Sequence, residues 1–131
     1  MERREIERKL KDGRNWARDS WLGLPESDQL RPAAESEHTP GTFWSAKDHL
    51  AHLAGIEHRF IEMIRKHIEG DRNPLGWRKG DGSYLTRDEI MVRVHELTEA
   101  WVVRHRELPI SEVIALGQQA RAGTLTLLGE L

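Results

Sequence analysis

Between positions 45 and 69 the chain sets Ala46, Leu50, Leu53, Ala54, Phe60, Ile61, Ile64 and Ile68 on one stripe with a period of about 3.6 residues. His49, Ile56, Met63 and His67 run along the edge of that stripe. One neighbour cannot cover an apolar surface that wide, so the segment predicts a helix packed against two others in a bundle. Ser45 followed by Asp48 marks its start: the hydroxyl accepts from the first turn while the carboxylate sits at the positive end of the helix dipole.

The rest of the chain carries the same period. Ile6, Leu10, Trp16, Ala17, Trp21 and Leu22 predict a first amphipathic helix over about residues 2–22, ended by Gly23 and Pro25. Three prolines, Pro25, Pro32 and Pro40, and no periodicity make residues 23–43 a long surface connection. Glycines 70, 76, 80 and 82 with Asn73-Pro74 predict a second loop, carrying Trp77, Arg78 and Lys79. Thr86 and Glu89 form a capping box, after which Ile90, Met91, Val94, Leu97, Trp101 and Val102 continue a third helix to about Arg106. Pro109 stops it. Ser111 can cap a last helix built on Val113, Ile114, Leu116, Ala120, Leu127, Leu128 and Leu131, although Gly117, Gly123 and Gly129 each weaken it by about 1 kcal/mol. Trp16, Trp21 and Trp101 lie in apolar register and are expected in the core. No stretch alternates with period two and none repeats another, so the expectation is an all-α single domain over residues 1–131.

Charge and composition narrow the function. Twenty Lys and Arg against 22 Asp and Glu leave the chain close to neutral, which argues against nucleic acid or an anionic membrane as partner. The absence of cysteine removes disulfides, thiolate ligands and a cysteine nucleophile, so a metal would need His and carboxylate ligands. The first residues are charged and no apolar run approaches the roughly 20 residues of a membrane span, so a cytoplasmic protein is expected. Phosphate-binding loops, dinucleotide fingerprints and nucleophile elbows are missing, which sets aside nucleotide-dependent and serine-hydrolase chemistry.

Seven histidines, at 38, 49, 52, 58, 67, 95 and 105, supply the ligand-capable groups. His49 and His52 are one turn apart on the second helix, outside the stronger H-E-x-x-H pattern. They could share an ion, or His49 could fill the core edge while His52 bonds to a neighbouring helix. His95 and His105 on the third helix could approach the second, but they stand almost three turns apart. Glu57, near the centre of the apolar stripe, must be paired or have its pKa raised; Arg14 and Arg18 of the first helix are the candidate partners. Trp77, Arg78 and Lys79 could stack on and pair with an anionic ligand, or form an anchored tryptophan beside solvated charges.

Residues 44–57, W-S-A-K-D-H-L-A-H-L-A-G-I-E, resemble the helix-two signature of the DinB-like superfamily, which includes mycothiol-dependent maleylpyruvate isomerases. On that resemblance Trp44 and Ser45 open the helix, Asp48 is the first-turn acid, Leu50 and Leu53 are core positions, and His52 is the first metal ligand. The resemblance implies an up-down-down-up four-helix bundle that holds a divalent metal such as zinc, nickel or iron, and acts on a small molecule by thiol transfer, isomerisation or hydrolysis. Its members carry two further ligands as an H-x-x-x-H pair on the final helix, and no histidine follows His105 here. Residues 108–131 resemble the third bundle helix, so a C-terminally shortened member, or part of a longer gene product, is expected. A missing helix would expose an apolar groove and favour a homodimer, in which a site shared between copies is conceivable. His95 or His105 could replace a lost ligand. The alternative is a non-catalytic, oligomeric binding or stress-related protein that has lost the metal site.

Overall fold

Two of the long helices start at the capping boxes read from the sequence. In a computed structural model of the chain, which describes residues 2–131, the elements in order are α1 (Arg3–Leu22), α2 (Glu26–Leu30), β1 (Ala34–Glu35), β2 (Phe43–Trp44), α3 (Ala46–Ile68), α4 (Arg87–His105) and α5 (Ile110–Glu130). Ser45 accepts from the Asp48 N–H and the Asp48 carboxylate accepts from the Ser45 N–H, at 3.1 and 2.9 Å; Thr86 and Glu89 repeat the motif on α4. The mostly helical structure agrees with the all-α expectation.

The wide stripe of α3 meets two helices, as its width requires. α3 packs against α5 and α4, and α1 packs against α5. Leu50 and Ala51 of α3 and Val113 and Ile114 of α5 form the buried centre, flanked by Trp21, Leu108 and Ile110. The crossing of α3 and α4 is close because residue 55 has no side chain: the Trp101 indole lies over Gly55 and donates to the Ala51 carbonyl at 2.8 Å. In α5, Gly117 faces Arg14 and Gly123 faces Ile61, so these glycines serve helix contact and the helix runs unbroken across them. No helix among the described residues is long and apolar enough to cross a membrane.

Several expectations are corrected. Residues 23–43 contain α2 and, with Trp44, an antiparallel ribbon in which Ala34 pairs with Trp44 and Glu35 with Phe43. Two-residue strands are too short to show a period, and the buried Trp44 indole holds the ribbon to the bundle. The last helix begins one residue before Ser111, with Pro109 at the N-cap and no side-chain cap. Trp16 is 70% exposed and not core, because it lies at the lip of a hollow between α1 and α3. Leu53, Phe60, Ile68 and Leu97, read as stripe positions, are also largely exposed. Residues 110–130, which the resemblance places as a third bundle helix, form the fourth long helix.

Candidate functional site

Trp44 gathers the histidines. Its buried ring lies 5.5 Å from His38, 5.1 Å from His49 and 5.2 Å from His52, measured between ring centroids. The capped first turns of α3 fix His49 and His52 against it, and the β1–β2 loop brings His38 to the other side.

Glu99 of α4 ties that loop down. Its two carboxylate oxygens accept from the Trp44 indole N–H and the Ser36 hydroxyl, both at 3.3 Å. Ser36 Oγ in turn accepts from the backbone N–H groups of His38 and Thr39 at 3.1 and 3.3 Å. His95 stands one turn before Glu99, so the same clamp delivers His38 to His95, and their Nδ1 atoms meet at 2.8 Å. His38 is the middle ring of three, with centroids 5.0 Å from His95 and 5.4 Å from His52.

The surroundings of His38 and His52 favour their neutral forms. Burial lowers the His52 pKa, and His38, Arg59 and His49 lower it further. Burial and His95 lower that of His38, with Arg59 adding to them, against the opposing pull of Glu99 and Glu37. The Nδ1 of His52 is buried without a hydrogen-bond partner. A cavity of about 410 Å³ opens beside His38 and His52, walled by Ile56, Phe60, Met63, Leu75, Trp77 and Val94. Arg59 is its one cationic lining side chain.

Among the described residues, no three His, Asp or Glu side chains stand in the finished donor arrangement of a metal centre. The spacing comes close to one. Two imidazoles sharing a tetrahedral ion have ring centroids about 5.2 Å apart and nitrogens about 3.3 Å apart. The His38–His52 and His38–His95 centroid spacings match, and the His38–His95 nitrogens, at 2.8 Å, would have to part by about 0.5 Å. The His38–His95 and His38–His52 pairs approach ligand spacing, and the unpartnered His52 nitrogen is the donor left open beside them.

The other candidates fall elsewhere. His105 donates from Nδ1 to the Trp101 carbonyl at 2.7 Å and its ring lies on the Trp101 indole, away from the cluster. Of the two α4 histidines, His95 is the one that joins the cluster, through His38. Glu57 is paired as expected with Arg14, at 2.8 Å, whereas Arg18 turns to Asp19. Sequence reasoning missed Arg121 of α5, which grips Glu57 with two nitrogens at 2.7 and 3.2 Å, and Thr124, which donates at 2.7 Å. Burial pushes the Glu57 carboxyl up, but hydrogen bonds from Arg121 and Thr124, the Arg121 charge and Arg14 outweigh it and hold the group below its ordinary value. In the 70–85 loop Trp77 reaches the cavity, while Arg78 lies over the Tyr84 ring and Lys79 pairs with Glu89.

His38 was also missed as a site residue. Its one sequence signal is position: an imidazole in a long loop a few residues before the tryptophan that starts the signature helix. No family model, curated protein or solved structure matches this chain.

Proposed function

We propose that the chain is a DinB-like helical-bundle protein that binds a divalent metal, zinc, nickel or iron, through His52 with His95 and His38, beside a cavity for a small-molecule substrate. The observation that carries the reading is the orphaned, buried Nδ1 of His52 beside His38, whose ring stands at ligand spacing from both His52 and His95. Neutral rings are the form that coordinates. A metal held there would lower the pKa of a thiol or water nucleophile for transfer, isomerisation or hydrolysis. Glu99 keeps His38 in place through Ser36 and Trp44. Phe60, Met63 and Trp77 keep the cavity wall apolar, which limits water around a bound substrate.

Metal analysis of tag-free protein tests the reading. The expected result is one ion per chain by mass spectrometry, with calorimetric affinity lost in His52→Ala and reduced in His95→Ala. Absence of stoichiometric metal after incubation with zinc, nickel and ferrous iron overturns it.

The non-catalytic reading rests on the His38–His95 contact, because at 2.8 Å the two nitrogens satisfy each other through one shared proton without an ion. The same metal analysis separates the two.

The assembly we propose is a homodimer. Trp16, Leu53 and Phe60 line an exposed apolar hollow of about 570 Å³ between α1, α3 and α5, and contiguous apolar surface of this kind favours burial against a second copy. Light scattering that gives the monomer mass at micromolar concentration contradicts it.

A further inference from the structure

The cavity beside the histidines contains a cation with no counter-charge. Arg59 of α3 lines the same hollow as His38, His52 and Trp77, together with Ile56, Phe60 and Met63 of its own helix. Its Nη2 is buried without a hydrogen-bond partner, and no carboxylate is paired with it among the described residues. Burial weakens its hold on its proton, but a guanidinium stays charged in a protein. Every other buried or half-buried arginine among the described residues has an acid: Arg14 and Arg121 share Glu57, Arg18 holds Asp19, Arg65 holds Glu130, and Arg106 holds Asp48.

Leaving a charge partly desolvated and unpaired costs free energy that an incoming anion would recover. We infer that Arg59 is the anion-recognition residue of this cavity, and that its ligand is a small monocarboxylate with an aromatic or aliphatic body. The guanidinium fork matches a carboxylate with two parallel hydrogen bonds. A single positive side chain suits a singly charged head, whereas a phosphate dianion calls for more donors than the hollow offers. The apolar walls then take the body of the molecule, with Trp77, Phe60 and Leu75 positioned to cover it. The inference rests on this cavity being the small-molecule site and does not require the ion.

The test is a heteronuclear NMR titration of metal-free, EDTA-treated protein with phenylacetate, 2-phenylethanol and inorganic phosphate. Phenylacetate should shift the Trp77 indole N–H and the amides of Phe60 and Leu75, and bind about tenfold more tightly than the neutral alcohol. Arg59→Gln should erase that difference, and Arg59→Lys should restore only part of it because a point charge lacks the fork. Arg59 forms no bond that either variant would break, so both should keep the wild-type circular dichroism. Should the glutamine variant not fold, the comparison of acid with alcohol in the wild type and the lysine variant decides. Equal binding of acid and alcohol overturns the inference, as do tighter phosphate binding and shifts confined to the hollow around Trp16. Because metal is absent throughout, failure of the metal reading leaves this result standing, and its own failure does not touch the metal result.

Discussion

The Nδ1 atoms of His38 and His95 lie 2.8 Å apart across 57 positions of sequence, joining a loop to a helix through one shared proton. A second proton between the two nitrogens would leave two N–H groups aimed at each other with no acceptor, and burial already disfavours the charged form of His38.

Acid should therefore weaken the fold through this cluster. Folding disfavours the imidazolium forms of both His38 and His52, so on acidification the unfolded chain takes up protons first. Their contribution is intact above about pH 6.5 and is lost as the pH drops through the lower folded-state values. Urea midpoints measured downward from neutral pH should fall in the wild type and fall less in His52→Gln. An unchanged slope in the variant would show that His52 does not titrate this way.

Glu57 governs a separate, more acidic window. With its folded pKa held low, its stabilisation is present above about pH 4.3 and disappears as the pH falls through the folded value. Glu57→Gln leaves Arg14 and Arg121 largely buried beside a neutral amide, and should cost about 3 kcal/mol at neutral pH by denaturant unfolding. A loss under about 1 kcal/mol would mean that water already screens the pair.

Gly55→Ala should destabilise the protein even though alanine is the better helix former. A Cβ there would sit 2.7 Å from Trp101 Nε1, forcing the indole off the Ala51 carbonyl. Overpacking of this kind costs about 1–3 kcal/mol, which exceeds the gain of about 1 kcal/mol in helix propensity. Thermal unfolding and the environment of Trp101 by fluorescence would both register the change.

In the proposed metal complex, Glu99→Gln should lower metal affinity without removing a ligand. Losing the carboxylate weakens the anchor that Trp44 and Ser36 share, and with it the placement of His38. Calorimetric zinc affinity should fall by about tenfold, the size typical of supporting residues around metal sites. An equal loss in His38→Ala would place the effect on that ring.

Helix positions were legible because they are local. The boxes at Ser45–Asp48 and Thr86–Glu89 act within one turn and both reappear in the structure, and the apolar period of α3 reappears as a helix whose Leu50 and Ala54 are buried while Leu53, Phe60 and Ile68 are not. Glu57's pairing with Arg14 was legible for a different reason: a carboxylate in an apolar stripe must find a cation, and few were in reach. What could not be read depends on contacts between distant segments. Trp16 has the period of a core residue, yet no helix covers its face, and His38 becomes part of the cluster only because Glu99 pins a loop that sequence marks merely as proline-rich. Arg59 looks like one more charge on an amphipathic helix until its neighbours prove to include no acid.

Ile56 and Phe60 wall both the histidine cavity and the hollow around Trp16. A partition common to two chambers makes them one thermodynamic system: whatever settles in either chamber and turns the Phe60 ring alters the room left in the other. Reciprocity then requires equal coupling in both directions. In a homodimer closed over the Trp16 side, small-molecule affinity would vary with protein concentration, and ligand would shift the monomer–dimer balance by the same factor.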